Sequence, residues 1–185
     1  RMLGTVSSKP VMGFDPNPDG LARLRALGGE PVVDLQTLMA AADLVVAVTG
    51  RKGLIPASLV RRGQGIFALT NPDPEITPED ALAAGAAFAA DGRSVNNLLG
   101  FPGILRAAVD CRVRRITPSM YVAAARAIAG MAQKGELVPN PLRLEVHRAV
   151  ARAVAQAAQT DGVARLAIPT DYQLEHPYQA LQRRD

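Results

Sequence analysis

Three neutral amides and one carboxylate are the residues whose neighbours best suit them to meet a ligand. Asn71 lies in Leu69-Thr70-Asn71-Pro72-Asp73-Pro74, where an apolar run ends and prolines pin the turn. Asn96 and Asn97 lie in Gly92-Arg93-Ser94-Val95-Asn96-Asn97-Leu98, shortly before Pro102 opens a helical pattern. An amide donates and accepts at once, which suits a ribose hydroxyl or a carboxylate, and it adds no competing base. Asp15 closes the run Val11-Met12-Gly13-Phe14 and precedes Pro16-Asn17-Pro18. An acid at the end of a second strand accepts hydrogen bonds from both hydroxyls of an adenosine ribose and repels a 2′-phosphate, which favours NAD over NADP. Thr49 and Gly50, after the apolar run Leu44–Val48, join these as candidate cofactor contacts. Each position also has a plainer reading: Asp15 as a turn or capping acid, the asparagines as loop stabilisers.

The elements that must hold these residues alternate between short apolar runs and helical spacing, the signature of βαβ units and a parallel sheet. Val11–Asp15, Pro31–Val33, Leu44–Val48, Ile66–Leu69 and Ala87–Ala90 read as strands, and the continuous run Leu44–Val48 suits burial on both faces. Between them, Leu21, Leu24 and Leu27 mark a helix stopped by Gly28-Gly29; Asp34 caps Leu35–Ala41, with Leu35, Leu38 and Met39 facing inward; and Thr77 caps a further helix with Glu79 and Asp80 in its first turn. After Gly92 the pattern turns helical: Pro102 to about Asp110, Thr117-Pro118 to Gly135, and about Leu144 to Gln159. The fold class is therefore α/β, a Rossmann-like parallel sheet followed by C-terminal helices, over residues 1–167, with a polar tail at 168–185. No G-x-G-x-x-G turn is present, and Gly50-x-x-Gly53 lies too late to serve as one. The sheet is thus expected to lack its first strand and Gly-rich loop, as in a truncated chain or part of a longer polypeptide.

Composition narrows the function. Of 185 residues, 48% are apolar and only 4% aromatic, which implies an aliphatic, Ala-rich core. No apolar run approaches the roughly 20 residues of a bilayer crossing. The +4 charge comes without aromatic interleaving, zinc spacing or a recognition-helix pattern, so a nucleic-acid partner is not expected. The single Cys111 cannot form an internal disulfide, which fits the cytoplasm, and reads as a buried thiol. Tyr121 on its helical stripe reads as partly buried structure, and His147 and His176 lack metal-type spacing.

The blocks Thr70-Asn71-Pro72-Asp73-Pro74-Glu75, Asn96-Asn97-Leu98-Leu99-Gly100-Phe101-Pro102-Gly103 and Thr117 to Ala129, in that order, resemble the malic enzyme family. The resemblance runs from about Asp43 to Ala167 and includes Val138-Pro139-Asn140-Pro141 and Gly162-Val163-Ala164-Arg165. It implies NAD(P)-dependent oxidative decarboxylation of malate to pyruvate and carbon dioxide, with Mg or Mn. It places Asn71 near the nicotinamide ribose and the substrate, and Asn96 and Asn97 near the malate carboxylate and the nicotinamide. The loop before Asn96 is shorter than the family's, and Pro141–Glu145 is compressed. The family's tyrosine, lysine and carboxylate metal ligands precede its dinucleotide domain; Lys52, Lys134 and Tyr121 do not match them. No catalytic or metal-binding residue is therefore assigned in this chain, which by itself is expected to be inactive. The implied partners are malate or pyruvate, an N-terminal substrate domain absent here and further copies in a homo-oligomer. Residues 11–60 also resemble the NAD domain of adenosylhomocysteinases, through the acid-Pro pair and the strand running into Val48-Thr49-Gly50. A non-catalytic nucleotide-binding or assembly module is the remaining alternative.

Overall fold

The computed structural model describes residue 4, residues 7–95 and residues 97–168. The chain divides into two compact units, Arg1–Asn96 and Asn97–Asp185. Asn96, His176 and nearly all of the tail at 168–185 lie outside the described residues.

The first unit is the α/β part. Strand β1 (Met12–Gly13) leads into helix α1 (Pro18–Ala26), strand β2 (Glu30–Pro31) and helix α2 (Leu35–Ala41). Strand β3 (Leu44–Ala47), a short 3-10 turn (Ala57–Leu59), strand β4 (Gly65–Ala68), helix α3 (Pro78–Ala83) and strand β5 (Phe88–Asp91) follow. Short polar side chains start each helix as their sequence positions require. Asn17 accepts from the Asp19 amide at 2.9 Å, Asp34 from the Thr37 amide at 2.7 Å and Thr77 from the Asp80 amide at 3.1 Å. Gly28, at φ +80°, turns the chain out of α1.

Among the described residues all strand pairing is parallel, in the orders β1-β2 and β3-β4-β5. In a doubly wound dinucleotide sheet one strand separates two such groups, the first strand in sequence. The division therefore matches a Rossmann-like sheet without that strand. The second strand is offset from its expected span, Glu30–Pro31 instead of Pro31–Val33. Pro31 has no N–H to donate, and the ladder is carried by the Glu30 amide to Val11 O (2.9 Å) and the Val32 amide to Gly13 O (3.0 Å).

Strand β3 departs from its expected burial on both faces. Val45 and Ala47 are buried, but Val46 is 41% and Val48 72% exposed. The cluster around Val45 and Ala47 draws in Met39 from α2, Ile66 and Ala68 from β4, Ala81 from α3, and Ile55 and Ile76 from the loops. Met39 is fully buried, and Leu35 and Leu38 pack beside it half-buried.

The second unit is helical: α4 (Phe101–Asp110), α5 (Pro118–Met131) and α6 (Leu144–Thr160). Val146, Val150, Val154, Ala151, Ala155 and Ala158 of α6 meet Ala107, Met120 and Ala124 in its core. Small residues allow close approach. A Cβ at Gly103 would lie 2.6 Å from Val150 Cγ1 and 3.0 Å from His147 O. Thr117 caps α5, accepting from the Met120 amide at 3.4 Å, and its hydroxyl donates to Asp161 at 2.5 Å; Ser119 donates to the same carboxylate. Helix α5 ends at Met131, earlier than its expected stop at Gly135, which instead forms the following turn at φ +91°. Cys111 is buried, and burial foremost, then Asp110, pushes its thiol up. Tyr121 is exposed (44%), contrary to the expectation of partial burial. Among the described residues no helix is long and apolar enough to cross a membrane.

Candidate functional site

In a parallel sheet every strand delivers its following loop to the same edge, so the C-terminal ends of β3, β4 and β5 present three loops side by side. Thr49 and Gly50 leave β3, Thr70 and Asn71 leave β4, and Gly92 and Arg93 leave β5. Together they form a polar ledge.

A fully buried carboxylate, Glu75, ties the first two loops together. Its Oε1 accepts the Thr49 amide at 2.7 Å, the Thr49 hydroxyl at 2.9 Å and the Thr70 hydroxyl at 2.6 Å; its Oε2 accepts the Thr70 amide at 3.3 Å. The Thr70 hydroxyl also accepts the Gly50 amide at 2.9 Å, and Thr49 Oγ1 accepts the Arg51 amide at 3.2 Å. Backbone bonds from Gly53 to Pro74 O (3.1 Å) and from Ile55 to Glu75 O (2.9 Å) complete the seam. Burial alone raises the Glu75 pKa, but the Thr49 amide, the Thr70 hydroxyl, the amide of Glu75 itself and the Thr49 hydroxyl outweigh it and hold the carboxyl below the usual range.

Asn71 is exposed at the front of the ledge, in a cis peptide with Pro72. Its Nδ2 donates to Gly92 O at 3.4 Å, a long bond that orients the amide. Gly92 is buried directly behind it. A Cβ there would lie 2.5 Å from Asn71 Nδ2 and 2.7 Å from Leu69 O, so only glycine leaves Asn71 this position. Arg93 donates from Nη2 to Pro72 O at 3.3 Å, tying the third loop to the second. That loop is folded by Asp91, whose Oδ1 accepts the Arg93 amide (3.1 Å), the Ser94 amide (2.8 Å) and the Ser94 hydroxyl (2.7 Å). Burial opposes ionisation of Asp91, and these bonds prevail, so its pKa is lowered.

Of the sequence-derived candidates, the structure gathers Thr49, Gly50 and Asn71 on one ledge. The amide and hydroxyl of Thr49 and the amide of Gly50 are already bonded within it. Asp15 lies just past β1 with its carboxylate exposed: Oδ1 accepts the Asn17 amide at 2.8 Å, and Gly20 makes room for Oδ2. Asn97 belongs to the second unit, where it is exposed at the start of a 3-10 turn (Asn97–Leu99) that buries Leu99, and its carbonyl accepts the Gly100 amide at 3.2 Å. Asn96 lies outside the described residues. Glu75, Asp91 and Gly92 carry the ledge but received no role from the sequence. The one hint was an acid between Pro74 and the core residue Ile76, opposite two threonines that each end an apolar run.

The donor set fits the nicotinamide end of a dinucleotide. It offers an exposed neutral amide, and Gly50 and Gly53 at φ +72° and +65° have open space where a Cβ would stand. A parallel sheet with its polar loops at the strand C-termini defines a Rossmann-like dinucleotide-binding domain. The family described as "Malic enzyme, NAD binding domain" matches residues 90–160. NAD-dependent malic enzyme 1 of Bacillus subtilis is 51% identical over 160 residues, covering 86% of this chain and 36% of that protein. The crystal structure of a malic enzyme from Pyrococcus horikoshii superposes with a TM-score of 0.70 at 32% identity, over 88% of this chain and 51% of that one. Entamoeba histolytica malic enzyme gives 0.72 at 28% identity, over 86% and 37% respectively. The chain is thus similar to the NAD-binding part of malic enzymes. It spans 36% and 28% of the first two curated relatives it matches.

Proposed function

We propose that residues 1–167 form the cofactor-binding part of an enzyme that oxidatively decarboxylates malate to pyruvate and carbon dioxide. The observation that carries this reading is the exposed Asn71 amide, set by Gly92 at the C-terminal edge of a parallel sheet. Asp15, Thr49, Gly50, Asn71 and Asn97 contact the cofactor, with Thr49 and Gly50 acting through the shape of their loop. Asn71, Asn96 and Asn97 also orient the substrate carboxylate and hydroxyl. A bound nicotinamide would supply the hydride acceptor for malate oxidation, and a divalent Mg or Mn ion, with ligands outside this chain, would supply Lewis-acid chemistry for the decarboxylation. The residues of this chain bind and orient; none is assigned a proton-transfer role.

NAD is the preferred cofactor because Asp15 at the end of β1 would repel a 2′-phosphate. NADP is the alternative, since the relatives include an NADP-dependent malic enzyme from Rhizobium meliloti. The chain works beside an N-terminal substrate domain, in a homo-oligomer, in the cytoplasm. The purified chain, given malate, NAD and manganese, is expected to yield no NADH; turnover would overturn this assignment of roles. Fluorescence titration with NADH tests the cofactor contacts. Asp15→Ala should weaken binding about tenfold, the equivalent of one charge-assisted hydrogen-bond pair, with the far-UV circular dichroism unchanged. Unchanged affinity would remove Asp15 from the site.

A further inference from the structure

We infer that Glu75 is a positioning residue for the cofactor: its buried carboxylate fixes the loop carrying Gly50 and the loop carrying Asn71 in a single relative arrangement. The inference rests on the cofactor reading above. A buried carboxylate with no partner would be strongly unfavourable, and even a paired one seldom stabilises a core more than an apolar side chain of equal volume. What a carboxylate does provide is direction, because its lone pairs demand donors at set places. Glu75 takes four donors from Thr49 and Thr70, the residues immediately before Gly50 and Asn71. Its partner Thr49 is 26 positions away in sequence, so the bonds join two strands' exits and do not merely close a turn.

The Thr70 hydroxyl extends the arrangement. It donates to Glu75 and accepts the Gly50 amide, so the Gly50 backbone answers to the carboxylate through one intermediate atom. Asn71 is then held from two sides: by Glu75 through Thr70, and by Gly92 through its own amide. A glutamine at position 75 keeps the shape but turns an NH2 toward the Thr70 or Thr49 donors, replacing an acceptor with a facing donor.

The test uses the full chain and its Glu75→Gln variant. Amide hydrogen exchange should quicken at least tenfold at Thr49, Thr70 and Gly50 while the β4 amides of Ile66 and Phe67 stay protected. The NADH dissociation constant should rise about tenfold, with that of ADP, which lacks the nicotinamide and its ribose, unchanged. A purely structural role would loosen β4 as well and weaken both ligands alike. The isosteric Thr70→Val keeps the core volume and should quicken exchange at Gly50 in the same way. Unchanged exchange at these amides in both variants would overturn the assignment itself. Failure of the unmodified chain to bind NADH, with exchange responding as expected, would instead overturn the cofactor reading on which it rests.

Discussion

The two units of this chain are held together by different physics. The helical unit is an aliphatic core: α6 contributes six fully buried Val and Ala residues, and close packing replaces large side chains. The α/β unit has such a core too, but its strand ends depend on buried polar groups, with Glu75 at the centre of four hydrogen bonds. Packing tolerates a range of apolar residues of similar volume. A polar network tolerates only the residues that complete it.

The largest departure from the present state should come from the helical core. Met120, fully buried, changed to Ala should lower unfolding free energy by about 3 kcal/mol in urea titration, as large-to-small core changes do. Next is Gly92→Ala. Overpacking against Asn71 Nδ2 and Leu69 O should cost about 2 kcal/mol, and NADH affinity should fall as Asn71 is displaced. Normal affinity in that variant would mean that Asn71 does not need its present seat. Asp161→Ala removes the acceptor of Thr117 and Ser119 at the start of α5 and should lower the urea midpoint only slightly, leaving NADH binding alone.

Acid titration sharpens the contrast further. The folded-state pKa values of Glu75 and Asp91 are lowered, so the stability they contribute is fully present above their ordinary range near pH 4 and is lost as pH falls through the lowered values. Urea midpoints measured from pH 6 down to pH 3 should therefore fall, and less steeply in Glu75→Gln. An identical slope would mean that Glu75 is not ionised in the folded chain. The smallest effect is expected from Lys52→Ala, since its 3.4 Å pair with Asp73 is largely exposed; a change within about 0.5 kcal/mol is predicted.

Much of this was legible in the sequence for identifiable reasons. Caps are local, so Asp34 and Thr77 could be read with their helices, as could the opening of α4 beside Pro102. The order of the Asn71 and Asn97 blocks with the helices after them carried the family. The acid-Pro pair at Asp15 and the run into Thr49-Gly50, which also resemble adenosylhomocysteinases, are features of the dinucleotide fold and do not single out one enzyme within it. What could not be read was long-range. Glu75 looks like one more surface acid in a Pro-rich turn until the fold brings Thr49 to it. Gly92 looks like a turn glycine until the amide of Asn71 occupies its Cβ position. Exposure of Val46 and Val48 was likewise invisible, because an apolar run does not tell how many of its faces are covered.

In the function we propose, the Asn71 amide faces the nicotinamide end of the cofactor. Parallel titration of the full chain and its Asn71→Ala variant with NADH and with ADP, which lacks both the nicotinamide and its ribose, is the decisive comparison. The dissociation constant for NADH should be about tenfold higher in the variant, equivalent to about 1.4 kcal/mol, with ADP binding and the urea midpoint unchanged. Equal NADH affinity in the two proteins would contradict it.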